Sequence, residues 1–323
     1  MNVLITGGAG FIGYHLAVYH AARGDTVTLL DSLFKSEGRT DADFAALVAD
    51  AHVSMHNVDL TESIDLSLAD DSLDVVYHLA AINGTQLFYD IPYEVSRNNL
   101  LMTLNLLDWL GGRPIGRLLY ASTSEVYADA DRFDLLSIPT GEDVPVVFGQ
   151  PTNVRFSYGT SKFMGEFLCL QYGLKFNTPT SVVRYHNIYG PRMGTRHVIP
   201  EFIQRLRDGE NPFRVFGGTE TRAFCYVDDA VAATAQVAST EGCANQVVHV
   251  GNPLEETEIT DLAKLMMKLT DTDAAIELCD GKDGSVARRC PDISKLQALT
   301  GFTPCTPLHA GLGRTIDWYM AQA

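Results

Sequence analysis

A strand-like run, Asn2-Val3-Leu4-Ile5, leads into Gly7-Gly8-Ala9-Gly10-Phe11-Ile12-Gly13 and then into a helical stretch, Ile12 to Ala22. Glycines at 7, 10 and 13 permit a tight turn and let backbone amides at a helix N-terminus approach a pyrophosphate. The plain alternative is an ordinary glycine-rich turn. The spacing, set directly after a first strand, points instead to a dinucleotide-binding unit with Gly7, Gly10, Phe11, Ile12 and Gly13 as cofactor residues. Asp31 closes the next strand-like run, Thr26 to Asp31, where an acidic side chain accepts hydrogen bonds from an adenosine ribose. A carboxylate there repels a 2′-phosphate, so the expected cofactor is NAD rather than NADP. Asp59 and Leu60, after a third strand, are candidates for lining an adenine pocket, with helix capping as the alternative for Asp59.

Val53 to Val58, Val75 to Leu79, Arg117 to Ser122 and Thr180 to Tyr185 read as further strands, and Tyr93 to Leu110 and Phe156 to Tyr172 as helices. Near-continuous apolar strands alternating with helices predict an α/β fold, a Rossmann-type doubly wound parallel sheet covered on both faces. After Gly190-Pro191-Arg192 the elements become shorter and mixed. The expected organisation is a mainly NAD-binding domain over 1–190 and a smaller mixed α/β substrate-binding lobe over 191–323, partly interwoven. Residues 128–155 carry Pro, Gly and acidic side chains with little periodicity, and a loop that long is expected to be functional or mobile.

The balance of 40 acidic against 24 basic residues, a net charge of −16, opposes a nucleic-acid or anionic membrane surface. An anionic ligand must then be met locally, by backbone amides or a few placed arginines. The longest apolar runs are too short to span a bilayer, and the opening strand leaves no room for a signal peptide. Six scattered cysteines without a Cys-x-x-Cys pair predict reduced thiols and a cytoplasmic protein. His52 and His56 have the spacing of a helical metal pair, but their surroundings alternate like a strand, so no metal is expected.

Tyr158 and Lys162 stand four residues apart on a predicted helix and share one face. A lysine cation near a phenol favours the phenolate and pulls down a value of about 10. Such a tyrosine takes a proton from a sugar hydroxyl while hydride leaves the adjacent carbon. Alone, a Tyr-x-x-x-Lys arises readily by chance.

The wider setting removes that ambiguity. The glycine motif, Asp31, His78-Leu79-Ala80-Ala81, Ala121-Ser122-Thr123-Ser124-Glu125-Val126-Tyr127 and the Tyr158/Lys162 pair occur in order. Arg184-Tyr185-His186-Asn187-Ile188-Tyr189-Gly190-Pro191-Arg192, Thr221-Arg222-Ala223-Phe224-Cys225-Tyr226-Val227-Asp228-Asp229 and Arg288-Arg289-Cys290-Pro291-Asp292 follow. Nearly end to end, the chain resembles the extended short-chain dehydrogenase/reductase superfamily, in its nucleotide-sugar epimerase/dehydratase branch. The resemblance implies that Thr123 bonds the reacting hydroxyl, Tyr158 is the general base, and Lys162 supports it and reaches the nicotinamide ribose. Leu79, Ala80 and Ala81 would line the cofactor, while Asn99 supports the site's backbone. Ser124, Asn187, Arg222, Arg289 and Asp292 would bind a nucleotide-diphosphate sugar, the two arginines clamping its diphosphate. A homodimer built on the Tyr93–Leu110 and Phe156–Tyr172 helices is also implied.

Members of this branch begin by oxidising the sugar, usually at carbon four, with tightly held NAD. Ser124-Glu125 follows the strand threonine where dTDP-glucose dehydratases have Asp-Glu, so their acid is missing. Thr-Ser-Glu and the closing Arg-Arg-x-Pro-Asp-Ile run resemble the UDP-glucuronate decarboxylases. Two segments depart from all these groups: Ile82-Asn83-Gly84-Thr85-Gln86-Leu87-Phe88-Tyr89, and Phe156-Ser157 in place of Ser-Pro. The reading favours epimerisation through a 4-keto sugar. A 4,6-dehydratase or UDP-glucuronate-type decarboxylase using Glu125 is the alternative. A reductase or dehydrogenase consuming NAD(P)H stands third, and a non-catalytic dinucleotide sensor last, since a sensor has no need of Thr123, Tyr158 and Lys162.

Overall fold

The computed structural model describes residues 1–34, 41–64, 72–281 and 286–322. Its first part runs β1 (Asn2–Thr6), α1 (Phe11–Ala21), β2 (Thr26–Asp31), α2 (Ala42–Val48), β3 (Val53–Asn57) and β4 (Leu73–His78). There follow α3 (Thr85–Asp90), α4 (Pro92–Leu110), β5 (Ile115–Thr123), α5 (Ser157–Phe176) and β6 (Thr180–Tyr185). The rest comprises β7 (Ile188–Tyr189), α6 (Val198–Arg207), β8 (Phe213–Phe216), β9 (Thr221–Ala223), β10 (Cys225–Tyr226) and α7 (Val227–Ser239). Then come β11 (Gln246–Val250), β12 (Glu256–Glu258), α8 (Ile259–Leu269), β13 (Ile276–Cys279), β14 (Arg288–Arg289), α9 (Ser294–Thr300) and α10 (Leu308–Ala321).

Seven strands form one sheet in the order β11-β6-β5-β4-β1-β2-β3, with parallel pairing throughout. Every residue of β6 is buried, as is all of β1 but Asn2. Strands so apolar require cover on both faces. Leu16, Ala17, Val231 and Val237, from α1 and α7, pack into one core. Leu106, Leu110, Cys169 and Tyr172, from α4 and α5, pack into the other. The chain moves outward from β1 through β2 to β3, then returns to place β4 on β1's other side. Ligands in such sheets bind at the carboxyl ends, where the order reverses.

The remaining strands form three small sheets, β10-β7, β12-β9-β14 and β13-β8. Two- and three-residue strands have no periodicity to read, so β7, β9, β10, β12 and β14 were not foreseen. Neither were α2, the six-residue α3, nor α10, in which Gly311 and Gly313 weaken the helical pattern. Within residues 128–155 the expected loop is held down. Thr140 donates its N–H to the Cys290 carbonyl at 2.8 Å and accepts from the Asp292 N–H at 2.8 Å, tying the segment to the chain beyond Arg289. The six cysteines are free thiols, and no helix among the described residues is long and apolar enough to cross a membrane.

Candidate active site

Thr6 at the end of β1 lies opposite His78 at the end of β4, and these ends frame the crevice. Gly7 has φ +71°, and a Cβ on it would stand 2.8 Å from the Ala80 nitrogen. A Cβ on Gly13 would overlap the Gly7 carbonyl oxygen. The turn therefore stays bare, and α1 begins without a side-chain cap or an acidic residue in its first turn. The first-turn N–H groups at Phe11, Ile12 and Gly13 have no acceptor within the helix and carry its positive end. Asp31 accepts from the Ala9 N–H at 3.0 Å and the Leu33 N–H at 2.8 Å, so it also pins the glycine turn. Bare cradle, uncapped helix and acidic strand end together fit a dinucleotide. Half-buried Leu79, Ala80 and Ala81 form the opposite wall. Thr6 Oγ1 accepts from the Ala80 N–H at 3.2 Å and meets His78 Nδ1 at 2.8 Å.

Asp59 lines a cavity beyond β3 together with Met55, Asn57 and Val58, where the adenine pocket is expected, and both it and Leu60 also make local contacts. Asp59 is exposed, and its Oδ1 accepts from the Thr61 N–H at 2.8 Å and the Thr61 hydroxyl at 2.7 Å, closing a turn. Leu60, an aliphatic side chain just beyond a sheet edge, drops into the core with Leu4 and Leu30.

Thr123 ends β5 beside Tyr185, and its Oγ1 accepts from the Glu125 N–H at 3.2 Å, starting the 3-10 turn Ser124–Tyr127. Ser124 is buried in that turn. Tyr158 and Lys162 lie buried on α5, and the Lys162 ammonium stands 4.1 Å from the Tyr120 ring centroid. Asn99 accepts from the Ile82 N–H at 2.7 Å and donates to Ser161 Oγ at 3.1 Å, a backbone-supporting position. The expected lowering of the phenol by Lys162 is reversed in the structure. Burial, and then the Glu125 charge, push Tyr158 above its ordinary value, because a phenolate loses its hydration there and faces an anion.

Glu125, a catalytic candidate from the sequence, sits between two arginines. Arg155 Nη2 donates to Oε2 at 2.5 Å and Arg289 Nη1 to Oε1 at 2.7 Å. Burial opposes ionisation, yet Arg289 and Arg155 outweigh it and hold the carboxyl at about 2. A carboxylate held ionised by two guanidiniums does not deliver a proton near neutrality. Arg155 was missed by sequence reasoning. Its only signal is its place three residues before Tyr158.

Arg289 and Arg222 are neighbours in register on β14 and β9. Arg222 donates to Glu220 Oε2 and to the Thr221 carbonyl, each at 2.7 Å. Burial and then the Arg289 charge pull its guanidinium below the usual value. Two cations held together this way are relieved by an anion. Asn187 has φ +44°, and its buried Nδ2 has no hydrogen-bond partner among the described residues. That is the signature of a donor awaiting an acceptor. Asp292 is used locally: Oδ1 accepts the Ser294 N–H at 2.8 Å at the start of α9, and its carbonyl meets His249 Nδ1 at 3.3 Å.

Behind the site a buried network fixes α5 to the sheet. Arg184 pairs with Glu166 through two bonds of 2.9 and 2.6 Å, Ser122 donates to Glu166, and Arg184 donates to the Tyr127 hydroxyl. Tyr127 then meets His249 Nε2 at 2.8 Å. Burial, then Arg184, hold His249 down at about 3. The imidazole is therefore neutral, accepting from Tyr127 at Nε2 and donating from Nδ1 to the Asp292 carbonyl.

Residues 3–251 match the sequence profile of the NAD dependent epimerase/dehydratase family. UDP-N-acetyl-alpha-D-glucosaminuronate decarboxylase of Bacillus cytotoxicus is 32% identical over 326 residues, covering 98% of this chain and 97% of that protein. UDP-glucuronic acid decarboxylase 1 of Xenopus tropicalis is 32% identical, over 99% of this chain and 72% of the relative. Among solved structures, UDP-glucuronic acid 4-epimerase from Bacillus cereus in complex with UDP-glucuronic acid and NAD superposes with a TM-score of 0.87. Its identity is 28%, with both chains covered in full.

Proposed function

The chain belongs to the NAD dependent epimerase/dehydratase family, and from that premise we propose that it oxidises carbon four of a nucleotide-diphosphate hexuronate and then decarboxylates the 4-keto acid. NAD, held by the Gly7–Gly13 turn and Asp31, supplies the hydride acceptor when bound. Tyr158 takes the hydroxyl proton as its phenolate, which the Lys162 ammonium and the positive charge of bound NAD would favour against its burial, and Thr123 holds the oxygen. A hexuronate oxidised at carbon four is a β-keto acid. The bond from carbon five to the carboxylate breaks, its electrons pass to the carbon-four oxygen, and carbon dioxide leaves. Tyr158, now protonated, and Thr123 hydrogen-bond that enolate while water supplies a proton to carbon five. Return of the hydride to carbon four and of the Tyr158 proton to its oxygen would then give the pentose and leave the cofactor as it began.

The observation carrying this reading is the double arginine clamp on Glu125. Dehydration needs an acid as well as a base near carbons six and five, and a carboxyl held at about 2 is no acid near neutrality. The curated relatives, decarboxylases of hexuronates by name, support the same outcome. Carbon-four epimerisation is the second reading, favoured by the structural neighbour and likewise independent of Glu125 as an acid or base. Incubation with UDP-glucuronate, UDP-N-acetylglucosaminuronate and UDP-glucose, followed by NMR, separates them. The expected product is a UDP-pentose-type sugar and carbon dioxide from a hexuronate. A hexuronate inverted at carbon four selects the second reading, and a 6-deoxy-4-keto sugar from UDP-glucose overturns both.

The same family membership supports a homodimer. Phe163, Met164, Phe167 and Leu174 share one face of α5, and the last two are 56% and 65% exposed. Leu104 on α4 is exposed as well. Such a face is expected to pair with its copy in a second chain. Phe167→Asp should convert a dimer to a monomer in sedimentation velocity; a wild-type chain that sediments as a monomer at micromolar concentration removes the proposal.

A further inference from the structure

We propose that Phe88 is a positioning residue for Tyr158, holding the phenol ring face to face and raising its hold on its proton; this rests on the reading of Tyr158 as the proton acceptor. The two rings stack with centroids 4.9 Å apart and planes within 8°. Phe88 is buried, on the short α3. The Arg155 guanidinium carbon lies 5.8 Å from the centroid of the same phenyl, so one arginine touches both the Glu125 carboxylate and the ring that backs Tyr158.

The two segments that depart from the family pattern meet at this point. Phe88 comes from Ile82–Tyr89, and Ser157 stands where a proline is common. Ser157 Oγ donates to the Phe88 carbonyl at 3.5 Å, and Ser96 Oγ donates to the Ser157 carbonyl at 3.2 Å. These contacts tie α3 and α4 to the residue preceding the tyrosine. A proline at 157 has no hydroxyl to make the first of them. The two departures therefore act together, as one device that seats an aromatic ring on the phenol.

Deprotonation spreads negative charge into the Tyr158 ring, which then faces the electron-rich face of Phe88 and has no water on that side. The other ionisable groups near the phenol are Glu125 from the turn after β5, Tyr120 from β5 and Lys162 from α5 itself. From α4 comes uncharged Asn99, while Glu94, Arg97 and, on α3, Asp90 are exposed. Phe88 is thus a non-ionisable control on the proton affinity of the phenol, adjustable without changing any charge.

The test is a pH titration of NAD-loaded protein carrying tyrosine labelled with carbon-13 at Cζ, with Tyr158→Phe identifying the signal. Phe88→Leu keeps apolar bulk and removes the π face. Its Tyr158 midpoint should fall by about 0.5–1 pH unit relative to wild type, the worth of one aromatic pair. Phe88→Tyr should restore the wild-type midpoint. A simple packing role moves thermal stability and leaves the midpoint in place. A Phe88→Leu phenol that titrates no lower than wild type overturns the proposal, and Phe88→Met carries the same expectation if the leucine variant does not fold. Tyr158→Phe protein that still turns over UDP-glucuronate defeats the reading of Tyr158 instead, whatever the titration shows.

Discussion

Tyr158→Phe is expected to lower turnover by about a thousandfold, the usual scale for removing a general acid/base, while leaving NAD bound. The substitution deletes one oxygen and keeps the ring stacked on Phe88. The cofactor cradle lies on other elements, at Gly7 to Gly13 and Asp31, and does not depend on the phenol oxygen. Loss of activity with full nucleotide content therefore isolates proton transfer from binding. The companion Lys162→Met should cost both, because the lysine shares the tyrosine's face and is buried beside Tyr120. Product formation by NMR and nucleotide released on acid precipitation are the two readouts. A Tyr158→Phe enzyme within tenfold of wild type removes the proposed base.

The sheet and the glycine turn were legible because each is written in contiguous residues. A buried parallel strand is a run of apolar side chains, and a turn that cannot tolerate Cβ is a run of glycines. What the sequence concealed lies in pairings between distant residues. Arg155 and Arg289 are 134 positions apart by their numbers (289 − 155), and only the fold brings both to Glu125. The direction of the Tyr158 shift was misread for the same reason. The helical neighbour Lys162 is visible at i+4, whereas the burial and the Glu125 charge that win are tertiary.

Glu125→Gln is expected to destabilise the protein by about 3 kcal/mol near neutral pH, by two independent routes. A buried pair broken from one side costs roughly 3–5 kcal/mol, lessened here because the three side chains retain 14–16% exposure. Independently, a carboxyl held at about 2 against an ordinary 4.5 implies about 3 kcal/mol through linkage. The sign follows from the lowered folded value. The stabilisation is fully present above about pH 4.5 and is lost as pH falls towards 2, so the stability gap between wild type and Glu125→Gln should close over that window. Denaturant melts at pH 7 and pH 3 measure this, and a constant gap contradicts it. Removing Arg155 as well should recover part of the loss, since Arg155→Met in the Glu125→Gln background leaves one cation instead of two facing each other. The residual activity of Glu125→Gln should follow the wild-type pH profile, because a group ionised throughout contributes no limb. A limb present in wild type and missing from this variant would restore Glu125 as acid or base and, with it, dehydration chemistry.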